Sequence, residues 1–185
     1  MILDKLLGNQ SVIISLDVDN FLFERLQQIK DAGFDLVEIN STDQKLLAQA
    51  VARYPSLKIG AGGVIDTQQL ENCYQASVHF ATSPGYLPEI AQTANVYSFN
   101  YLPGVATISE AMAVMSLGYT HVRPFPADLA FCTLLNKCLP HLKLFPAEIE
   151  WEEAEHFLNL PAVAAVSIHN PDTKQLNALT TSILA

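Results

Sequence analysis

The fold is decided by residues 57–93, LKIGAGGVIDTQQLENCYQASVHFATSPGYLPEIAQT. This stretch begins with a short apolar run, Leu57–Gly60, and then changes to helical periodicity over Asp66–Gln75. The same change is repeated at once, from the apolar run Val78–Ala81 to a helical pattern over Tyr86–Thr93. Short apolar runs are typical of strands buried on both faces, and strands that alternate with helices indicate a parallel sheet. The stretch therefore predicts two successive βα units.

The same alternation extends in both directions along the chain. Six further apolar runs predict strands: Val12–Leu16, Asp35–Ile39, Val96–Asn100, Thr120–Arg123, His141–Phe145 and Val163–Ile168. Six further periodic stretches predict helices: Phe21–Ala32, Asp43–Arg53, Ile108–Leu117, Ala127–Cys138, Glu150–Leu158 and Asp172–Leu184. Asp66 and Asp172 are predicted N-caps of their helices, because aspartate accepts hydrogen bonds from free backbone N–H groups.

Eight βα units favour a compact (βα)8 TIM barrel in the α/β class, with an open doubly wound sheet as the alternative. No linker or low-complexity stretch interrupts the pattern, so residues 1–185 are expected to form a single barrel domain. Typical barrels of this kind take about 250 residues. The loops are therefore expected to be short.

The charge balance excludes several classes of partner. The chain has 19 acidic and 10 basic residues, for a net charge of −9, and such a surface repels phosphate backbones and anionic lipids. We expect no nucleic-acid and no membrane partner. The 3 cysteines show no CxxC spacing, which argues against a disulfide framework or a zinc site and favours buried, reduced thiols in a cytoplasmic protein.

Four motifs follow one another through the middle of the chain. They are Gly60–Val64 (GAGGV), Phe80–Gly85 (FATSPG), Leu102–Glu110 (LPGVATISE) and Val122–Asp128 (VRPFPAD). In order and spacing they resemble the 2-keto-3-deoxy-6-phosphogluconate (KDPG) aldolase family, whose members often also cleave 2-keto-4-hydroxyglutarate (KHG). The family has GAGTV, SPG, PG-x-x-T-x-SE and KFFPAE at the corresponding places. The resemblance covers roughly residues 11–147.

The resemblance implies a (βα)8 barrel with class I aldolase chemistry. A lysine on the sixth strand forms a Schiff base with the substrate ketone, and a glutamate on the second strand acts as general acid and base. An arginine and the GAGTV threonine hold the pyruvate carboxylate, and two glycine-rich turns hold a phosphate. The implied partner is a small keto acid or another small carboxylate, without any cofactor or metal. Family members usually form trimers, so a homo-oligomer is expected.

Carried over residue by residue, the family pattern is only partly kept. Glu38 matches the catalytic glutamate, whereas Arg123 stands at the Schiff-base lysine position. Gly63 stands at the GAGTV threonine, and the carboxylate-binding arginine falls near Thr42. The glycine and SPG/PG motifs supply the other candidate substrate-binding residues: Gly62, Ser83, Pro84, Gly85, Pro103 and Gly104. Pro146–Ile149 and Ile168–Pro171 replace the phosphate turns.

Arginine cannot replace the Schiff-base lysine, because its guanidinium stays protonated and has no lone pair to attack a ketone. Arg123 has two open roles: an ion pair with Glu38, or bidentate binding of a carboxylate or phosphate. Lys143 begins a second copy of the motif, KLFPAE, and a further hypothesis gives it the imine role. Glu148 and Glu150 lie where a phosphate would bind, which argues against a phosphorylated substrate.

Two functions from different classes remain open at this point. One is a lyase of the keto-acid aldolase type that acts on an unphosphorylated substrate with Glu38 as acid and base. The other is a non-catalytic relative, a pseudoenzyme that binds a small acid or a protein partner. His79, His121 and His169 could meet Glu38 as a metal site, but their spacing does not indicate one, so we expect no metal.

Overall fold

The computed structural model of the protein describes residues 6–183, and side chains through residue 179. Within these residues, nine strands are separated by helices, except that β5 is followed directly by β6. The strands are β1 Val12–Leu16, β2 Leu36–Ile39, β3 Lys58–Ala61, β4 Phe80–Thr82, β5 Tyr101–Leu102, β6 Gly104–Val105, β7 His121–Pro124, β8 Lys143–Leu144 and β9 Val166–His169. The helices are α1 Leu22–Asp31, α2 Gln44–Arg53, α3 Thr67–Gln75, α4 Pro88–Val96, α5 Ile108–Ser116, α6 Leu129–Cys138, α7 Ala154–Leu158 and α8 Thr173–Ile183, with a 3-10 turn at Trp151–Glu153.

The strands pair in parallel throughout, as expected for an α/β fold. A six-stranded sheet has the order β5-β4-β3-β2-β1-β9, and a three-stranded sheet has the order β6-β7-β8. Only Pro103 separates β5 from β6, and isolated parallel bridges link Leu144 to Val163 and Ile149 to Ile168. The fold is therefore a curled parallel sheet covered by helices.

Aspartate and threonine side chains begin several of the helices. Asp66 accepts a hydrogen bond from the backbone N–H of Gln69 at 2.7 Å, and Asp172 accepts one from Gln175 at the same distance. Both predicted N-caps are confirmed. The predicted end of the last helix at Leu184 lies outside the described residues.

The predicted strand over Val96–Asn100 is wrong. Helix α4 runs on to Val96, which is 80% exposed, and Ser98 closes the turn with φ +51°. The apolar run is used instead for aromatic packing: the rings of Tyr97 and Tyr74 stack at a centroid distance of 4.7 Å. The strand begins at Tyr101, where the backbone of Ala81 donates to the carbonyl of Asn100.

Apolar side chains fill both sides of the sheet. The larger cluster lies between the strands and the helices, and a smaller one lies on the other face of the strands. The smaller cluster takes alternate strand residues: Ile13, Leu36, Phe80, Leu102, Phe145 and Ala165, with Leu7. A Cβ at Gly60 would come within 2.2 Å of the Phe80 ring, so only glycine lets this ring fill the inside of the curl.

Among the described residues, no helix is both long and apolar enough to cross a bilayer. The three cysteines are free thiols. Burial raises the pKa of Cys73 and of Cys132 to about 12, whereas Cys138 is exposed. The expectation of buried thiols is thus confirmed for Cys73 and Cys132 and is wrong for Cys138.

Candidate functional site

An ion pair between Glu38 and Arg123 spans the inside of the curled sheet. Glu38 lies on β2 in the six-stranded sheet and Arg123 on β7 in the three-stranded sheet. The Arg123 Nη2 donates to Glu38 Oε1 at 3.1 Å, and the two side chains are 6% and 1% exposed. The guanidinium carbon also lies 5.1 Å from the centre of the Phe125 ring, within cation–π range. The first of the two roles open to Arg123 is therefore seen in the structure.

The ion pair buries two charged groups away from solvent, so each group needs the opposite charge of the other. Removing a charge from water costs several kcal/mol, and the partner offsets that cost only with good geometry and further hydrogen bonds. Arg123 carries five N–H donors, of which a single one is accounted for by Glu38. The guanidinium can therefore bind an acceptor without releasing the glutamate.

A pocket of about 420 Å³ opens above the pair, at the carboxyl ends of the strands. Its lining residues come from several strand–helix loops: Asn40, Ser41, Thr42, Gly62, Gly63, Pro84, Arg123, Phe125 and Glu148. Loops at this end of parallel strands are where ligand sites of α/β proteins usually lie. Four of the predicted site residues, Gly62, Gly63, Pro84 and Arg123, meet here.

Two glycines shape the pocket wall for different reasons. A Cβ at Gly62 would lie 2.5 Å from Asn40 Oδ1 and 2.7 Å from Glu38 Oε1. A side chain there would push the glutamate away from Arg123. Gly63 has φ +83°, a conformation that other residues rarely adopt, although a Cβ at this position would meet no atom within 4 Å. Gly62 is thus needed for space and Gly63 for its backbone turn.

The other predicted substrate-binding residues lie outside this pocket and support its walls. Ser83 is buried, and its Oγ accepts a hydrogen bond from the Tyr101 hydroxyl at 2.7 Å. The Pro103 carbonyl accepts the backbone N–H of Arg123 at 2.9 Å. A Cβ at Gly104 would come within 2.4 Å of the Pro84 backbone, and Gly85 lines a separate groove.

Lys143 is placed far from the pocket mouth. It is an exposed residue at the first position of β8, where it lies level with His121. Arg123 lies two residues after His121, so the two side chains are on the same face of β7. Lys143, which pairs with His121, therefore points to the same side of the sheet as Arg123 but lies nearer the amino ends of the strands. It is not among the residues that line the pocket.

A polar network at the pocket rim was missed by the sequence reasoning. Asp17 accepts hydrogen bonds from Asn40 at 2.9 Å and from Asn170 at 2.8 Å, and its Oδ2 lies 2.9 Å from His169 Nε2. The Asn40 hydrogen bond is the main cause that lowers the pKa of Asp17. Glu148 Oε1 lies 3.8 Å from His169 Nδ1. The sequence signal that could have indicated Asp17 is its position, because it directly follows β1, at the carboxyl end of the strand.

The described residues include no set of three or more His, Cys, Asp or Glu side chains that could hold a metal ion. The histidines that could have met Glu38 have other contacts. His79 Nδ1 lies 3.1 Å from the backbone nitrogen of Ile59, and His169 belongs to the rim network. The histidines thus do not gather around Glu38.

Known proteins match this chain in sequence and in fold. The model of the KDPG and KHG aldolase family matches residues 9–170. The 2-dehydro-3-deoxy-phosphogluconate aldolase of Pseudoalteromonas atlantica is 38% identical over 74 residues, which are 40% of this chain and 34% of the relative. The KHG/KDPG aldolase of Escherichia coli K12 is 35% identical over 81 residues, 43% of this chain and 38% of the relative. The matched segment thus spans little more than a third of these curated relatives.

Solved structures match over nearly the whole chain. The KDPG aldolase of Legionella pneumophila, captured with pyruvate as a covalent carbinolamine intermediate, superposes with a TM-score of 0.87 at 24% identity and covers 97% of both chains. The KDPG aldolase of Zymomonas mobilis ATCC 29191 gives a TM-score of 0.86 at 20% identity, covering 98% of this chain and 96% of that one. At these identities the likeness shows the fold.

Proposed function

The chain belongs to the KDPG and KHG aldolase family, and we propose that it is a member that binds a small 2-oxo acid through Arg123 without forming an imine. The observation that carries this proposal is the buried ion pair of Arg123 with Glu38 at the floor of the pocket. A guanidinium is the side chain best suited to hold a carboxylate, because its planar N–H groups match the two carboxylate oxygens.

We propose further that residues 1–185 form a single (βα)8 barrel. The strand pairings support this closure. β1 pairs with both β2 and β9, and the bridge between Ile149 and Ile168 brings the segment after β8 against β9. Since a single residue separates β5 from β6, the two sheets follow one another around a ring. Arg123 and Glu38 would then face each other across the barrel interior.

The lack of an imine follows from residue chemistry. By the resemblance, Arg123 stands where the family has its Schiff-base lysine, and a guanidinium cannot attack a ketone. Lys143 lies toward the opposite ends of the strands from the pocket, so its position does not favour the relocated-lysine hypothesis. Class I cleavage therefore has no nucleophile among the residues that line this pocket.

The pocket rim favours an unphosphorylated ligand. Glu148 lines the pocket, and Asp17 lies in the adjoining network with His169. Carboxylates at these places repel a phosphate dianion, which sites in barrels normally hold with backbone N–H groups and glycine turns. A small acid with a single carboxylate, oriented toward Arg123, fits the charge distribution better.

The lyase reaction of the family is the second candidate, and Glu38 is the observation that favours it. The resemblance assigns this residue the general acid–base role, and its carboxylate is in place beneath the pocket. Because Glu38 is committed to Arg123, proton transfer would require the ion pair to loosen first. The two candidates differ in whether a covalent adduct with lysine is formed.

Titration with pyruvate, followed by calorimetry or ligand-observed NMR, tests the first candidate. Arg123→Gln is expected to weaken binding by about tenfold to 100-fold, because the charge-assisted contact is lost and the new side chain cannot form an imine with pyruvate. Arg53→Gln is the matched control, since Arg53 is exposed, stacks on Phe23 and does not line the pocket. Equal affinities of the wild type and Arg123→Gln for pyruvate would refute the assignment.

Borohydride treatment in the presence of pyruvate tests the second candidate. We expect no reduced lysine adduct by mass spectrometry. An adduct at any lysine, Lys143 included, would overturn the proposal that this chain works without an imine.

Two further expectations stay predictions: an oligomer, which the resemblance implies, and a cytoplasmic location, which the cysteine usage indicates. A homo-oligomer, and a trimer in particular, would cover the exposed apolar residues Ile65, Leu87 and Met112. Light scattering after size exclusion would measure the mass. A cytoplasmic location is also predicted.

A further inference from the structure

Two side chains of opposite charge line the pocket at the carboxyl ends of the strands. Of its nine lining residues, Arg123 and Glu148 are the ionisable ones. The Arg123 side chain is 6% exposed, whereas Glu148, on the loop after β8, has 39% of its side chain exposed. The same cavity of about 420 Å³ therefore has a guanidinium at its floor and a carboxylate at its rim.

The two charges differ in what balances them. Arg123 is neutralised by the buried carboxylate of Glu38 at 3.1 Å. Among the described residues, the basic side chain within ion-pair distance of Glu148 is His169, and it lies between two carboxylates: its Nδ1 is 3.8 Å from Glu148 Oε1 and its Nε2 is 2.9 Å from Asp17 Oδ2. Even a protonated imidazole would balance only one of them. The pocket rim therefore keeps a negative charge without a counter-ion.

The Glu148 carboxylate is also free to accept hydrogen bonds. No donor among the described residues bonds to it, and 3.8 Å from His169 Nδ1 is too long for a hydrogen bond. The backbone of Glu148 has φ +54°, a conformation that favours glycine. Hydrogen bonds on both sides fix this turn: the N–H groups of Ala147 and Ile149 donate to the carbonyls of Pro124 and Ser167 at 3.3 and 3.1 Å. The loop thus holds an unpaired carboxylate against the pocket in a backbone conformation that costs free energy.

We propose that the pocket binds a small acid with a cationic group at its far end, the carboxylate of the acid on Arg123 and the cation on Glu148. The proposal rests on the proposed function and narrows its ligand class. An ammonium group donates to the free carboxylate and supplies the missing counter-charge. A plain acid leaves that charge unbalanced, and a dicarboxylic acid adds a second negative charge beside it, which is unfavourable.

The ω-amino acids from 3-aminopropanoate to 6-aminohexanoate are the probes. Each is compared with the alkanoate in which a methyl replaces the ammonium group, and with the dicarboxylate of similar length. None of these acids has a ketone, so an imine with a lysine cannot contribute to binding. Because several lengths are used, the best binder reports the span between the two charged ends of the site.

Calorimetric titration gives the affinities. At the best length, the ω-amino acid is expected to bind the wild type about fivefold more tightly than its alkanoate, and the dicarboxylate more weakly than either. Since Glu148 is partly exposed, this preference is expected to shrink as the salt concentration rises.

The variant Glu148→Gln tests the assignment, because it keeps the size of the side chain and removes its charge. We expect weaker binding of the ω-amino acid and tighter binding of the alkanoate, so that the two differ by less than about twofold. Glu152→Gln is the matched control, since Glu152 is exposed and does not line the pocket. Arg123→Gln is expected to weaken the binding of all three kinds of acid.

A melting experiment without ligand separates this role from a structural one. Glu148→Gln is expected to melt within about 3 °C of the wild type, because the ionic contact that the structure describes for Glu148 is long and partly exposed. A larger loss, together with equal weakening of ω-amino acids and alkanoates, would show that the carboxylate holds the loop in place and would refute the binding role.

The remaining outcomes distinguish this proposal from the proposed function. If the wild type binds pyruvate but binds no ω-amino acid more tightly than its alkanoate, the cationic end is refuted and the Arg123 site stands. If the preference persists in Glu148→Gln, the assignment to Glu148 is refuted. If the wild type binds none of these acids, pyruvate included, the proposed function fails and this inference fails with it.

Discussion

Replacement of Arg123 by methionine would leave the Glu38 carboxylate buried without its counter-ion. In the structure the two groups are 3.1 Å apart, and Glu38 is only 1% exposed, so solvent cannot replace the guanidinium. Breaking a buried pair from one side typically costs about 3–5 kcal/mol of unfolding free energy. We expect Arg123→Met to lose that amount at neutral pH, a large share of the roughly 5–15 kcal/mol that stabilises a domain.

Most of this loss should come from the stranded carboxylate. The double variant Glu38→Gln with Arg123→Met removes both charges and is therefore expected to recover about half of the loss or more. Urea unfolding, monitored by circular dichroism, gives the free energies. Arg53→Met serves as the control: it removes an exposed guanidinium that lies 5.1 Å from the Phe23 ring and is expected to cost about 0.5–1 kcal/mol.

Two results would contradict the stranded-charge explanation. If Arg123→Met unfolds within about 1 kcal/mol of the wild type, the pair does not hold a buried charge in place. If the double variant is no more stable than Arg123→Met, the loss comes from missing packing of the long side chain and not from charge.

Three further predictions concern the pocket wall, the rim and the thiols. Gly62→Ala is expected to cost about 1–3 kcal/mol of unfolding free energy and to weaken pyruvate binding, because its Cβ would meet oxygen atoms at 2.5 and 2.7 Å. Gly85→Ala is the neutral control, since a Cβ at Gly85 would have no atom within 4 Å, and equal effects of the two substitutions would contradict the steric explanation. The pKa of Asp17 is lowered in the folded state, so the stability that its carboxylate contributes is present above the unfolded pKa of about 3.9 and is lost as the pH falls through the folded pKa. The difference in unfolding free energy between the wild type and Asp17→Asn is therefore expected to narrow at acid pH, and a difference that does not change with pH would refute this. Cys138 is expected to react with a thiol reagent in the native protein. Cys73 and Cys132 are expected to react only after unfolding, because burial raises the pKa of both thiols to about 12. Rapid reaction of all three cysteines in the native protein would contradict the burial of Cys73 and Cys132.

The alternation of strands and helices could be predicted from the sequence, because apolar residues are spaced differently in buried parallel strands and in amphipathic helices. Val12–Leu16 was predicted with its observed bounds, and the aspartate caps were predicted from residue type alone. The failure at Val96–Asn100 has a physical cause. An apolar run can serve aromatic packing on a helix surface as well as a strand, and Tyr74 is separated from Tyr97 by a whole βα connection.

The candidate site was predictable where linked motifs carried it and unpredictable where contacts join distant residues. Glu38 and Arg123 were found by carrying over the family pattern, and their ion pair was one of the two roles left open for Arg123. The rim network could not be predicted in the same way, because Asp17 and Asn170 are 153 positions apart in the chain.

The ion pair of Glu38 and Arg123 also links the six-stranded sheet to the three-stranded sheet, in addition to the chain connection at Pro103 and the isolated bridge between Ile149 and Ile168. A ligand that accepts hydrogen bonds from the remaining N–H groups of Arg123 would hold the guanidinium in place without breaking the ion pair, so the two sheets are expected to become more rigid when the pocket is occupied. We expect amide hydrogen exchange along β2 and β7 to report on occupancy even when the ligand touches no backbone atom of either strand.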